Sequence, residues 1–250
     1  MGKTPDTITI DDLAPVDEFH IGGRVASRDF LGQLAISSDD HVLDVGCGIG
    51  GASRFTAQEF HCRVTGVDLT EEYVETGELL CNWLGLSSSV SLVQGNVLKL
   101  GFPDAGFDKA FMLHVGMNIP DKAALGSEVS RVLKPGGLFG IYDIMKVGGE
   151  MVNFPVPWAT DAEGSSLGSP DDYKDALSEA GFEIISERNR GDFALKFFAE
   201  LKARAAAASG PPPLGLHVIM GAEAPIKIQN MVANVAQGTI APVELIAQKL

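Results

Sequence analysis

Asp44, Gly46, Gly48 and Gly50 stand within one short run, Val42 to Phe55, in which an apolar strand breaks into a glycine-crowded turn and then opens a helix. Glycines there remove the side chains that would keep a ligand from the backbone. This is nucleotide-binding chemistry, and two kinds of ligand compete for it. A dinucleotide lays its pyrophosphate on the helix N-terminus and gives its ribose hydroxyls to an acid about 20 positions further on. Asp44 fits that ligand poorly. It lies at the strand end ahead of the first glycine, where a carboxylate repels a pyrophosphate but accepts hydrogen bonds, directly or through water, from an ammonium. A second short strand, Val64 to Val67, ends in Asp68, which is placed to take both ribose hydroxyls of either ligand.

S-adenosylmethionine carries such an ammonium and no phosphate. The run Asp44-Val45-Gly46-Cys47-Gly48-Ile49-Gly50 resembles the glycine-rich motif of class I S-adenosylmethionine-dependent methyltransferases. Leu133-Lys134-Pro135-Gly136-Gly137 resembles their signature ahead of the fifth strand. The resemblance implies a cofactor site built from Asp44, Gly46, Gly48, Gly50, Asp68, Leu69, Asn96, Val97, Leu113 and His114, with no metal. Where the family usually has an aspartate on the adenine amine, this chain has Asn96, whose side-chain carbonyl still accepts from an exocyclic N–H. The Val97 backbone N–H is the candidate for a ring nitrogen. In resembling enzymes the loop after the fourth strand passes the cofactor's methionine part and the reacting methyl. This makes His114 the candidate general base. The alternative is that the Leu113 backbone binds cofactor while His114 packs.

Methyl transfer from a sulfonium is an in-line displacement accelerated by orientation and desolvation, so it calls for a walled cavity rather than a nucleophilic triad. Candidate walls are Phe19, His20 and Arg24 ahead of the core, Tyr142 at the end of the fifth strand, Trp158 in a proline-rich loop, and His217 with Met220 near the C-terminus. Aromatic walls suit an amine or sulfonium through cation–π attraction. Asp17 to Arg24, Leu113 to Ile119 and Pro157-Trp158 are similar to segments of the sarcosine/dimethylglycine N-methyltransferases and of ubiquinone/menaquinone-biosynthesis C-methyltransferases. That resemblance leans toward an amine acceptor, with C- or O-methylation of a small metabolite as the alternative. A hydride-transferring enzyme using NAD and a catalytically silent S-adenosylmethionine-binding domain remain the rival readings.

The elements that must position these residues alternate along the chain. Strands are expected at 41–45, 62–67, 90–94, 107–113, 138–142 and 182–188, with helices at 50–60, 77–84, 122–133 and 170–180. Such alternation predicts an α/β fold: a Rossmann-like, mostly parallel sheet of seven strands with helices on both faces. The seventh, antiparallel strand falls at 243–248. The intervening residues read as a helix (192–208), a breaker (209–213), a short apolar segment (214–220) and a helix (223–236). An insertion of that size, 192–238, is expected to be a lid or a partner surface rather than a structureless loop. The whole chain, 1–250, reads as one methyltransferase domain with an N-terminal cap at 1–35, of which residues 1–15 are expected to be a mobile arm and 17–34 a loop followed by a helix.

A formal charge of −14, from 19 basic against 33 acidic residues, leaves too little basic surface to neutralise phosphates, so a nucleic-acid partner is not expected. No apolar run reaches the length of about 18 residues needed to span a membrane, and no signal peptide is evident, which predicts a cytoplasmic location. Cys47, Cys62 and Cys81 lack metal or disulfide spacing. The expected partner is a small-molecule substrate; monomer or homodimer stays open.

Overall fold

A computed structural model describes residues 2–207, 210 and 214–250. Strands β1 (His41–Val45), β2 (Arg63–Asp68), β3 (Val90–Gln94), β4 (Phe107–Leu113), β5 (Leu133–Lys146), β6 (Phe182–Asn189) and β7 (Ile240–Lys249) form one seven-stranded sheet in the order β3-β2-β1-β4-β5-β7-β6. Neighbours from β3 through to β5 run parallel, and β7 runs antiparallel to both β5 and β6. The expected α/β architecture is therefore present, with its helical insertion between β6 and β7.

Alternation along the strands sorts side chains to two cores. Leu43, Met112 and Ile141 face α5 (Lys122–Val132) and α6 (Pro170–Glu179). Val42, Phe111 and Tyr142 face α2 (Gly23–Leu31), α3 (Gly51–Phe60) and α4 (Glu71–Trp83). A third cluster joins the insertion to the sheet: Ala194 of α7 (Gly191–Ala207) and Met231 and Val235 of α9 (Ala224–Ala236) pack with Ile21, Ile144 and Ile240. Between α7 and α9 lies the short α8 (Leu216–Met220), which packs on the N-terminal helix. Among the described residues, no helix is long and apolar enough to cross a membrane.

Three expectations change. Residues 1–15 do not stay an arm: α1 (Ile10–Asp17) forms, because Thr9 and Asp12 make a reciprocal capping box and Ile10, Leu13 and Val16 bury one stripe. α4 begins at Glu71 rather than 77, with Glu71 and Glu72 in its first turn where acids favour the helix dipole. β5 runs on to Lys146 because β7 pairs with it from Leu138 to Lys146, which also lengthens β7 beyond 243–248. The expected breaker at 209–213, Gly210 aside, lies outside the described residues.

Candidate functional site

The sheet switches connection between β1 and β4, and a cavity of about 520 Å³ opens there beyond the strand ends. The glycine turn forms its floor, with the Gly46 and Cys47 amides donating to Val67 O (2.8 and 3.0 Å). All three glycines have positive φ, at 79°, 54° and 77° for Gly46, Gly48 and Gly50. They differ in what fills the space above them. A Cβ on Gly46 would lie 2.5 Å from Val115 and one on Gly50 2.6 Å from Leu92, whereas one on Gly48 would meet nothing within 4 Å. Gly50 does not border the cavity, so the expectation of a ligand contact there is corrected: packing against Leu92 and Arg54 requires that glycine.

Asp44 borders the cavity from a buried position and accepts a hydrogen bond from Ser53 Oγ (2.6 Å). Burial outweighs that bond and pushes its carboxyl up to about 7. Asp68 accepts from the Gly48 amide (2.8 Å) and the Thr70 amide (3.0 Å), so the glycine turn itself orients this acid. Leu69, Asn96, Val97, Leu113 and His114 also border the cavity. The Asn96 carbonyl already accepts from the Leu98 amide (2.9 Å), leaving one lone pair for a ligand N–H.

A second cavity of about 740 Å³ lies beyond α1. Apolar side chains dominate its wall: Phe197, Phe198 and Leu201 from α7, Ile228 and Met231 from α9, and Ile144 from β5. The end of α1 is the partition. Val16 and Asp17 face the first cavity, Ala14, Pro15 and Glu18 face the second, and Phe19, His20, His114, Met117 and Trp158 border both. Sequence reasoning missed this partition. The signal it had was Thr9-x-x-Asp12 ahead of Ile10, Leu13 and Val16.

His114 sits at this junction with φ 53°, a left-handed conformation that costs energy for a residue with a Cβ. Burial drives its imidazole pKa well below the ordinary value, with neighbouring His20 adding to the shift, and its Nε2 has no hydrogen-bond partner. The ring is therefore neutral. His20 stacks edge-on to it at 5.9 Å and shares a hydrogen bond with Ser27 Oγ (2.9 Å), which donates to Glu18 Oε2 (2.6 Å).

Phe19, His20, Arg24, Trp158 and His217 all reach the second cavity, together with Met220. Arg24 spends its charge within the protein, donating from Nε to Glu18 Oε1 (2.5 Å) and lying over Phe55 at 4.5 Å. Trp158 donates from its indole to Ser165 Oγ (3.0 Å), which fixes its ring plane. Tyr142 is the exception. It alternates to the core face of β5, is fully buried against Phe30, and donates its hydroxyl to Ile21 O (3.0 Å); the expected wall role is corrected.

Beneath the turn, Arg54 of α3 pairs with Asp17 of α1 at 2.7 Å, both side chains excluded from solvent. Arg54 also donates from Nη1 to Ile49 O (2.7 Å) of the glycine turn. Among the described residues, no three His, Cys, Asp or Glu side chains stand together as a metal site.

A sheet of this order, with its cavity at the switch point above an acid-ended strand and a glycine turn, is the fold of class I S-adenosylmethionine-dependent methyltransferases. Residues 43–141 match the family model described as a methyltransferase domain. The sterol 24-C-methyltransferase of Eremothecium gossypii is 37% identical over 167 residues, 64% of this chain and 44% of that protein. The chain thus spans less than half the length of the curated relatives it matches. Two solved structures share the fold. Phosphoethanolamine N-methyltransferase 2 of Haemonchus contortus superposes with a TM-score of 0.77 at 20% identity, over 96% of this chain and 57% of that one. Geranyl diphosphate C-methyltransferase of Streptomyces coelicolor A3(2) does so with a TM-score of 0.71 at 20% identity, over 90% of this chain and 78% of that one.

Proposed function

We propose that the protein is an S-adenosylmethionine-dependent methyltransferase acting on a small lipophilic acceptor. The observation that carries this reading is the junction. A cavity with a cofactor-like floor lies beside an apolar chamber and five side chains border both, so a methyl held on one side would face an acceptor on the other. The fit to the cofactor rests on two features, a buried carboxylate at Asp44 with room for an ammonium and open space above Gly48. Asp44 and the glycine turn would hold the methionine part, Asp68 the ribose, and Asn96 with the Val97 amide the adenine. Bound there, S-adenosylmethionine supplies an electrophilic methyl on a sulfonium.

The chain's own part is to orient and to exclude water. The described N-terminal segment serves as a cap and α7, α8 and α9 as a lid over the chamber, and Phe19 and Trp158 flank the transfer path. An acceptor that gains a methyl must shed a proton, and His114, which borders both cavities with its Nε2 unpartnered, is the group placed to take it. The chamber favours an uncharged acceptor because its buried carboxylate, Glu18, is already engaged by Arg24 and Ser27. An amine is the second reading, favoured by the aromatic pair Phe19 and Trp158 at the junction.

Methyl-labelled cofactor offered to isoprenoid or steroid-like acceptors, phenols and small alkylamines separates these readings. Transfer to the first set is expected. Transfer confined to hydrophilic amines would replace the lipophilic reading, and cofactor binding with no transfer anywhere would favour a silent binding domain. NAD binding without S-adenosylmethionine binding would overturn the assignment altogether.

Two further results are expected. Phe198→Asp places a carboxylate in the apolar chamber and should lower turnover about tenfold or more while calorimetry finds cofactor affinity unchanged. Cofactor affinity should also depend on pH. The free Asp44 carboxyl titrates near 7, above its unfolded value, and only its ionised form pairs with an ammonium. Affinity therefore falls about tenfold per pH unit below that point and rises as pH climbs through it, with proton release on binding. Calorimetry in buffers of different ionisation enthalpy measures that release, and pH-independent affinity between 5.5 and 7 would count against the role of Asp44.

A further inference from the structure

The loop shared by both cavities is held from behind by one ammonium group. Lys122 is the first residue of α5, a position where a cation opposes the helix dipole. Its Nζ turns back and donates to three main-chain carbonyls, Gly116 O (2.9 Å), Ile119 O and Ser166 O (2.8 Å), which uses all three of its hydrogens. Two of those carbonyls belong to the turn 116–119 and the third to the segment ahead of α6, which the Ser166 amide also ties to Met117 O (2.8 Å). Tyr173 closes the remaining side, its ring centroid 5.2 Å from Nζ and its hydroxyl donating to the buried Asp143 Oδ2 (2.7 Å). A Cβ on Gly116 would lie 2.4 Å from both of those oxygens, so the turn has no slack. On its far side Met117 borders both cavities.

Three carbonyl dipoles aimed at one point repel each other unless a cation sits among them. We propose that Lys122 is a positioning residue, an internal ammonium that fixes the 116–119 turn and so sets Met117 at the junction, and whose place a diffusible ammonium can take. The inference rests on reading the junction as the place of methyl transfer. A solvent-open groove past Ser166, Gly168 and Asp172 leads to Lys122 and gives such an ion its entry.

The test is Lys122→Ala with n-propylammonium, which replaces the deleted atoms one for one. In the variant, the methyl NMR signal of Met117 should shift or broaden and the Kd for S-adenosylhomocysteine should rise about fivefold or more. Propylammonium should restore both saturably, and the neutral n-propanol should restore neither. A wild-type Met117 signal in the variant overturns the inference. So does a loss that propanol reverses as well as the ammonium, or one that neither reverses. If Lys122→Ala does not fold, Lys122→Gln takes its place: an undisturbed Met117 overturns the inference and a displaced one supports it. The Met117 signal needs neither cofactor nor acceptor. Absence of methyl transfer therefore refutes the proposed function without touching this result, and active wild-type protein with an undisturbed variant does the reverse.

Discussion

Arg54→Met is expected to cost the fold about 3–5 kcal/mol, read as a lowered urea midpoint, because it strands a buried carboxylate. Arg54 and Asp17 meet where neither side chain touches solvent, and burial already raises the Asp17 carboxyl despite the guanidinium beside it. Neither Asp17 Oδ2 nor Arg54 Nε has a partner, so the pair sits in a poorly compensated pocket. Removing Arg54 leaves the Asp17 carboxylate without its ion-pair partner. Replacing both, as Asp17→Leu with Arg54→Met, should recover most of the loss, since an apolar pair carries no desolvation penalty. A double variant as unstable as the single one would show that shape, rather than charge, sets the cost. The single variant should also weaken cofactor binding, because the Arg54 bond to Ile49 O braces the glycine turn.

Asp44→Ala should leave a folded protein with S-adenosylmethionine affinity lowered about 100-fold, the range expected when a charge-assisted bond to an ammonium is lost. Stability should move the other way. The Asp44 carboxylate is buried with Ser53 as its one side-chain partner, and its raised pKa means that ionisation works against the fold as pH climbs through about 7. Thermal unfolding of the free Asp44→Asn protein at pH 8 should therefore match or exceed the wild type, while calorimetry shows the binding loss. Asp68→Ala should weaken binding by roughly 1–3 kcal/mol and also loosen the Gly48 and Thr70 amides it accepts from. Unchanged affinity in both variants would place the cofactor elsewhere.

Much of this is legible in the sequence, for identifiable reasons. The sheet and its order of elements follow from short apolar runs alternating with helical periodicity, and that Asp44, Asp68 and His114 border one cavity follows because strand ends in a parallel sheet point at one crevice. Tyr142 was misread because sequence shows that an aromatic residue ends a strand but not which face it takes. The register with β4 and β7 decides that, and it sends the ring to the core. The chamber was only partly visible. Its wall draws on α1, the 157–158 loop, α7 and α9, segments whose meeting is set by tertiary packing and carries no local spacing. The α1 helix is hard to read because Pro15 lies inside it and polar residues surround its short apolar stripe, and Arg54 reads as an ordinary helix arginine until Asp17 appears beside it.

The differing surroundings of the three glycines bear on how such a chain would change over evolutionary time. Gly46 and Gly50 are sealed by Val115 and by Leu92 with Arg54, so a lineage that abandoned its ligand would keep both for the sake of the fold alone. Much of the glycine fingerprint would outlive the activity. Gly48 is held by its left-handed backbone, so Asp44, whose burial as a carboxylate works against the fold, is the position where such a loss would first be written.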